Sequence, residues 1–324
     1  MANDSLHPAV KLVGRRIRDD LVGGAADMAR EAAAAMAQAA RVSKAATTAG
    51  YTAEFKRAAR AILEVSLSIA PVTNLLHQLG AEAEGAAPDA PSAAVRERVA
   101  ARAASFGEKL SKALQKIAEI GAATIRDGDK LFMYSMSSTV WRMIRAAHRQ
   151  GKRVSVAVTE SRPANEGLWS VTELTQDGIP VTVGIDAAIG VLVPGSAMVL
   201  VGGDTITAAG DAICKVGTFP TALVAQHYGI PLRLAADLTK FDPSTLDGMQ
   251  PRLREMGPKG VLPAGVGSHT TVRNPIFEIV PAALIKDIIT ERGILHPAMA
   301  ATMMREQPHS KLVAEIMAAI ATPA

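Results

Sequence analysis

Two stretches of the chain set ionisable side chains at the ends of apolar runs, which is where an α/β sheet meets its ligands. In VTESRPANEG, residues 158–167, Glu160, Ser161 and Arg162 follow such a run and Gly167 opens a helical pattern. N–H groups at a helix start and a guanidinium aimed the same way make an anion site, although a structural ion pair would use the same Arg162. In VGGDTITAAGDAICKVGTF, residues 201–219, two glycines let the backbone approach a ligand closely. Asp204 closes the apolar run there, and Lys215 and Gly217 precede the next helix. Burial raises the pKa of a carboxylate at a strand end, so Asp204 is the first candidate for a general acid or base; the bland alternative is a turn cap.

The elements that must position these groups follow from the hydrophobic pattern. From Gly128-Asp129 onward the runs KLFMYS, RVSVAVTES, PVTVGID, AMVLVGGD and PLRLAADL alternate with helical segments predicted to begin near Thr139, Gly167, Asp186 and Thr218. Short, continuously apolar strands alternating with helices predict a parallel sheet covered on both faces. Its strand ends would carry Tyr134, Ser135, Glu160, Ser161, Arg162, Asp186, Gly203, Asp204 and Asp237. Further on, FEIVPAALIKDIITERG predicts a short strand and a helix from Pro281, with two short helices over 298–305 and 312–321 closing the chain. Before residue 125 the pattern is helical: alanine-rich over 25–40, amphipathic over 52–69 and again over 92–120, with an exposed connection expected over 80–92. The predicted fold class is α/β: an N-terminal helical domain over 1–125, then a Rossmann-like parallel-sheet domain over 126–324 with a C-terminal helical tail.

Composition narrows the function classes. A chain of 324 residues can bury a core without staples, and the single Cys214 rules out an internal disulfide or a thiolate zinc cluster. The seven histidines have no ligand spacing, so no metal is expected. Thirty-five Lys and Arg against 31 acids leave only +4, spread along the chain, and aromatic residues make up 3%. A nucleic-acid groove needs a basic stripe with stacking partners, so no nucleic-acid partner is expected. No run of about 18 uncharged apolar residues occurs and the N-terminus has no signal-peptide pattern, so the expectation is a cytoplasmic protein with no membrane partner. The first strand of the sheet ends in YSMSS instead of Gly-X-Gly-X-X-Gly, which argues against a dinucleotide; no cofactor is expected.

Five segments, in order, resemble one family: MYSMSSTVWRMI (133–144), TESRPANEG (159–167), GGDTITAAGDAICKVGTFPTALVAQHYGIPL (202–232), LTKFDP (238–243) and NPIFEIVPAALIKDIITERG (274–293). This family unites the regulatory alpha, beta and delta subunits of translation initiation factor 2B with methylthioribose-1-phosphate isomerase and ribose-1,5-bisphosphate isomerase. The resemblance implies that Asp204 stands where the isomerases carry their proton-transferring Asp. It also implies that Ser135 stands where they carry a Cys, a much stronger proton donor than serine. Cys214 falls where the isomerases carry Asn; a thiol there is either an inert small hydrophobe or a displaced partner for Asp204. Arg162, Asp211, Lys215 and Gly217 match the family's substrate-handling positions, and Gly23 matches a glycine near the first long helix. Three phosphate anchors depart from the pattern. An Arg becomes Val22 beside Gly23, another is lost at Ala70-Pro71, and a phosphate-holding Gln becomes Glu166, a charge that repels anions.

Two functions are implied. One is an isomerase related to the aldose–ketose phosphate isomerases, acting on a small polyol-like metabolite by Asp204-assisted proton transfer. Ser135 or Cys214 would complete its site, with Arg162, Lys215, Glu166, Gly23, Asp211 and Gly217 shaping ligand binding. The other is a non-catalytic regulatory subunit that senses a sugar phosphate or nucleotide. Either way the resemblance implies a homodimer or higher homo-oligomer and a small-molecule ligand.

Overall fold

A computed structural model describes residues 6–19, 23–66, 69–248, 253, 255–258, 260–262 and 269–321. Five helices come first: α1 (Pro8–Asp19), α2 (Ala25–Val42), α3 (Thr48–Ser66), α4 (Ala70–Glu84) and α5 (Ala93–Thr124). Alanine gives α2 its propensity and its thinness: Ala29, Ala32, Ala33, Ala37 and Ala40 are buried, so neighbouring helices approach closely. Phe55, Ile62 and Leu63 of α3 and Leu75, Leu76 and Leu79 of α4 complete this helical core.

The second half alternates strands and helices in the expected places: β1 (Lys130–Met133), α6 (Ser138–Arg149), β2 (Ser155–Thr159), α7 (Gly167–Gln176), β3 (Val181–Gly184), α8 (Ile189–Leu192) and β4 (Met198–Gly202). A small hairpin, β5 (Thr205–Ile206) and β6 (Ala212–Lys215), precedes α9 (Thr218–His227) and β7 (Leu232–Ala235). The chain ends with β8 (Phe277–Val280), β9 (Asp287–Thr290), β10 (Gly293–Leu295), α10 (Ala300–Arg305) and α11 (Lys311–Ala321). The main sheet has the order β10-β9-β7-β4-β1-β2-β3, parallel except for β10 on β9. Leu131, Phe132 and Met133 are buried together because helices cover both faces; each such side chain contributes about 1.5–3 kcal/mol. Strand order reverses direction between β1 and β4, and a sheet of this kind opens its ligand crevice beyond the carboxyl ends of that pair.

Three expectations need correction. The segment after Pro281 makes only a 3-10 turn over Ala282–Leu284 and then the strand β9. Its β-branched run Ile288-Ile289-Thr290 is fully buried beside β7, and burial on both faces overrides the helical spacing. The stretch from residue 80 is still helical to Glu84, because Gly80 is covered by Ser310 and Val313 as the last helix docks there. That last helix leaves the sheet altogether: Leu312, Val313, Ile316 and Met317 of α11 join the core of the first five helices. The chain therefore returns to its beginning, and Glu84 fixes the return by accepting from Ser310 Oγ at 3.1 Å and Leu312 N at 2.5 Å.

Candidate functional site

The crevice predicted by the sheet order is a cavity with one wall from the sheet and one from the helices. Tyr134, Ser135 and Ser137 come from the end of β1, Gly202 to Asp204 from the end of β4, Lys215 from β6, and Glu166 from the start of α7. The opposite wall is helical: Gly23, Gly24, Ala25 and Ala26 at the start of α2, with Val65 and Ile69. The cavity holds about 950 Å³ of space, its mouth included. α2 begins without a side-chain cap, so backbone N–H groups and the positive end of an 18-residue helix border the cavity.

The turns that shape the sheet side are strained. Ser135 and Ser161, each two residues past its strand, have φ of 63° and 64°, and Asn165 has 59°. Non-glycine residues in this region cost about 1–3 kcal/mol and persist where surroundings over-determine them. Here Ser170 Oγ donates to the Ser135 carbonyl at 2.9 Å, while Asp186 accepts from the N–H groups of Ser161 and Arg162 at 2.9 and 2.7 Å. Gly167 lets α7 start directly against β2, since a Cβ there would lie 1.8 Å from the Thr159 carbonyl oxygen. The consequence is that Glu166, the residue before it, is carried inward.

Glu166 is 1% exposed. Its Oε1 pairs with Lys215 Nζ at 2.7 Å and accepts from Ser135 Oγ at 3.2 Å, while Oε2 has no hydrogen-bond partner among the described residues. Lys215 also lies 5.2 Å from the centroid of the Phe277 ring, a cation–π distance. Asp204 is different. It is half-buried, and its backbone N–H donates to the Ile213 carbonyl at 2.8 Å. Burial raises its pKa, opposed by the charges of Lys240 and then Lys215. Tyr134 is also held protonated, its pKa raised by burial and then by Asp186.

Lys240 is a cavity-lining lysine that pattern reading passed over. It is 5% exposed and lines the cavity from the 3-10 turn Leu238–Lys240. The helical half holds that turn: Asn74 Nδ2 of α4 donates to the carbonyls of Thr239 at 2.6 Å and Phe241 at 2.8 Å. Gln307 Nε2 donates to Leu238 O at 2.7 Å, and Glu291 accepts from Leu238 N at 3.2 Å. Its only signal in the sequence is a lysine three residues past the strand-end Asp237, in LTKFDP.

Of the expected site residues, Asp204, Ser135, Glu166, Gly23 and Lys215 line this one cavity, whereas Cys214, Arg162, Asp211 and Gly217 do not. Cys214 precedes Lys215 on β6, and side chains alternate faces along a strand, so it is fully buried in the apolar core with Ala212. Burial, and next the Asp204 charge, push its thiol pKa up, which keeps it neutral. Arg162 is exposed and spends its guanidinium on the Gly260 carbonyl at 2.5 Å. Asp211 sits at the far end of the β5–β6 hairpin, where its Oδ1 accepts from Ala282 N at 2.8 Å. Gly217 is a packing glycine with φ of 102°, and a Cβ there would meet Tyr134 Oη at 1.8 Å. Its N–H, with that of Phe219, is already taken by Glu278 Oε1 at 2.6 and 2.7 Å, so the start of α9 is neutralised from within. Among the described residues no group of three or more His, Cys, Asp or Glu is arranged to hold a metal ion, and no helix is long and apolar enough to cross a membrane.

The model of the initiation factor 2 subunit family matches residues 21–297. The ribose 1,5-bisphosphate isomerase of Haloferax volcanii is 30% identical over 308 residues, 94% of this chain and 94% of its own. That of Archaeoglobus fulgidus is 40% identical over 217 residues, 65% of this chain and 68% of its own. Among solved structures, the translation initiation factor eIF-2B of Pyrococcus horikoshii OT3 superposes with a TM-score of 0.77 at 29% identity, across 90% of this chain and 98% of that one. The 5-methylthioribose 1-phosphate isomerase of the same organism shares the fold, with a TM-score of 0.68 at 22% identity across 96% of this chain and 88% of that one.

Proposed function

The chain belongs to the initiation factor 2 subunit family, and from that premise we propose that it is an isomerase of the aldose–ketose type acting on a small polyol-like metabolite. The observation that carries this reading is a half-buried carboxylate, Asp204, facing a cavity whose wall also presents Lys240 and Lys215. Relatives at 30 and 40% identity are ribose 1,5-bisphosphate isomerases, which supports a sugar phosphate as the ligand class.

In this mechanism the open-chain sugar lies with its carbonyl and the neighbouring carbinol carbon beside Asp204. The carboxylate takes the proton from the carbinol carbon and the electron pair moves to form an enediolate. The hydroxyl proton passes from the carbinol oxygen to the former carbonyl oxygen, and the same carboxyl returns its proton to the former carbonyl carbon, leaving the carbonyl on the neighbouring carbon. No co-reactant is needed. Burial raises the pKa of Asp204, which brings it closer to a proton acceptor that works near neutral pH, and the lysines offset charge developing on the enediolate oxygen. Gly23 to Ala26 at the start of α2 would hold a phosphate on backbone N–H groups. We assign the oligomer contact of a homodimer to the sheet half, where the edge strand β3 and its neighbours expose Val183, Ile185 and Val191.

A second reading, a non-catalytic sensor subunit, is favoured by one observation. Ser135 Oγ donates to Glu166, so its proton is committed within the protein. Incubating the protein with a panel of aldose and ketose phosphates and following products by NMR separates the two. Conversion that disappears in Asp204→Asn supports the isomerase. Tight binding without conversion supports the sensor and overturns it.

A further inference from the structure

The cluster at one end of the cavity says which ligand it takes. This step rests on the sugar-phosphate reading above and narrows it. Glu166 is buried, with one oxygen committed to Lys215 at 2.7 Å and Ser135 at 3.2 Å and the other unpartnered among the described residues. A buried acceptor left unpaired is costly, and a site that keeps one is suited to a ligand that supplies the missing donor. The charged side chains of described residues that line the cavity are Glu166, Asp204, Lys215 and Lys240: two carboxylates, two lysines and no arginine. Such a wall has no surplus positive charge to meet two phosphates.

We propose that Glu166 selects against phosphate at this end of the cavity, its unpaired oxygen accepting a ligand hydroxyl, so that the ligand is a sugar or sugar derivative with at most one phosphate. A phosphate at this position would either stand beside Glu166 as a like charge or draw Lys215 away and strand a buried carboxylate. A hydroxyl does neither: it donates to Glu166 and accepts from a neighbouring donor. Glu166 is thus a specificity-determining residue, and the single phosphate is left to the α2 end of the cavity.

Calorimetric titration of the full chain with D-ribulose 5-phosphate and D-ribulose 1,5-bisphosphate, at matched ionic strength, tests this. The expected result is a monophosphate bound at least ten-fold more tightly than the bisphosphate. In Glu166→Gln, which keeps the shape and removes the charge, that preference should fall at least ten-fold while the thermal midpoint shows the fold intact. Equal or tighter bisphosphate binding by the natural chain overturns the proposal, as does a preference that Glu166→Gln leaves unmoved, or no binding of either sugar. The preference of the natural chain is read without a variant, so misfolding of Glu166→Gln would leave the test decisive. NMR on the same samples keeps the two readings apart. Monophosphate bound but not converted sinks the isomerase and spares this inference; bisphosphate bound tightly and converted does the reverse.

Discussion

Two carboxylates share the cavity and live in opposite circumstances. Glu166 is closed in: 1% exposed, ion-paired at 2.7 Å and hydrogen-bonded to Ser135. Asp204 is half-open, with charges near it but its pKa raised by burial all the same. The comparison teaches that a lysine at contact distance fixes the position of a carboxylate, which is what the proposed recognition role of Glu166 requires. A carboxylate whose pKa burial raises against the charges of Lys240 and Lys215 is the better suited to the proton transfer proposed for it.

Breaking the open member should have the largest effect. Asp204→Asn keeps the shape and removes the proton acceptor, so turnover should fall by about 10²–10⁴-fold with the thermal midpoint little changed. Retained turnover would mean that the two carboxylates do not divide the work in this way. The closed member fails differently. Lys215→Met leaves Glu166 buried and unpaired, and should lower unfolding stability by about 3–5 kcal/mol in denaturant titrations. A loss below about 1 kcal/mol, the range of exposed pairs, would show that the pair is solvated after all.

A third carboxyl sharpens the contrast from outside the cavity. Glu291, beneath the turn that carries Lys240, has its pKa pushed up to about 7, by burial first and by Asp237 next. Between the ordinary value of 4.5 and about 7 the folded protein holds a proton that the unfolded chain has lost, so this group's contribution to stability is present at low pH and is lost as pH rises through 7. Stability should therefore decline from pH 5 to 7.5 by about 1–2 kcal/mol on account of this group, and Glu291→Gln should flatten that decline. A melting series with the same slope in both proteins would remove Glu291 from the account. The smallest effect is expected at Cys214. Cys214→Ala should leave turnover unchanged and lower stability by about 1 kcal/mol, since the thiol serves only packing. A large loss of activity with normal stability would return it to the site.

The strands and helices flanking the site were legible because their pattern is local. A four- or five-residue run that is mostly apolar can be read anywhere, and β1, β2, β4 and β7 are such runs. Pro281 misled because a first-turn proline and a helical spacing are also local, whereas the burial that makes β9 a strand comes from β7, some fifty residues away in the chain. Of the two readings of Cys214 the structure favours the inert hydrophobe, for a finer reason. Adjacent strand residues face opposite ways, so matching a motif position to within one residue cannot place a side chain in a pocket.

The sequence by itself determined the α/β class, the alternation of strands and helices from β1 to β4 and the segment 201–219 that carries both Asp204 and Lys215. Each depends on residue type and near-neighbour spacing. Tertiary structure decided that Arg162 and Asp211 serve backbone carbonyls and N–H groups away from the cavity, that Lys240 enters it under the grip of Asn74, and that Gly23 faces Ser135 across it. These are meetings between residues separated by more than fifty positions. They are fixed by how a helical core packs over a sheet edge, a quantity that no local pattern encodes.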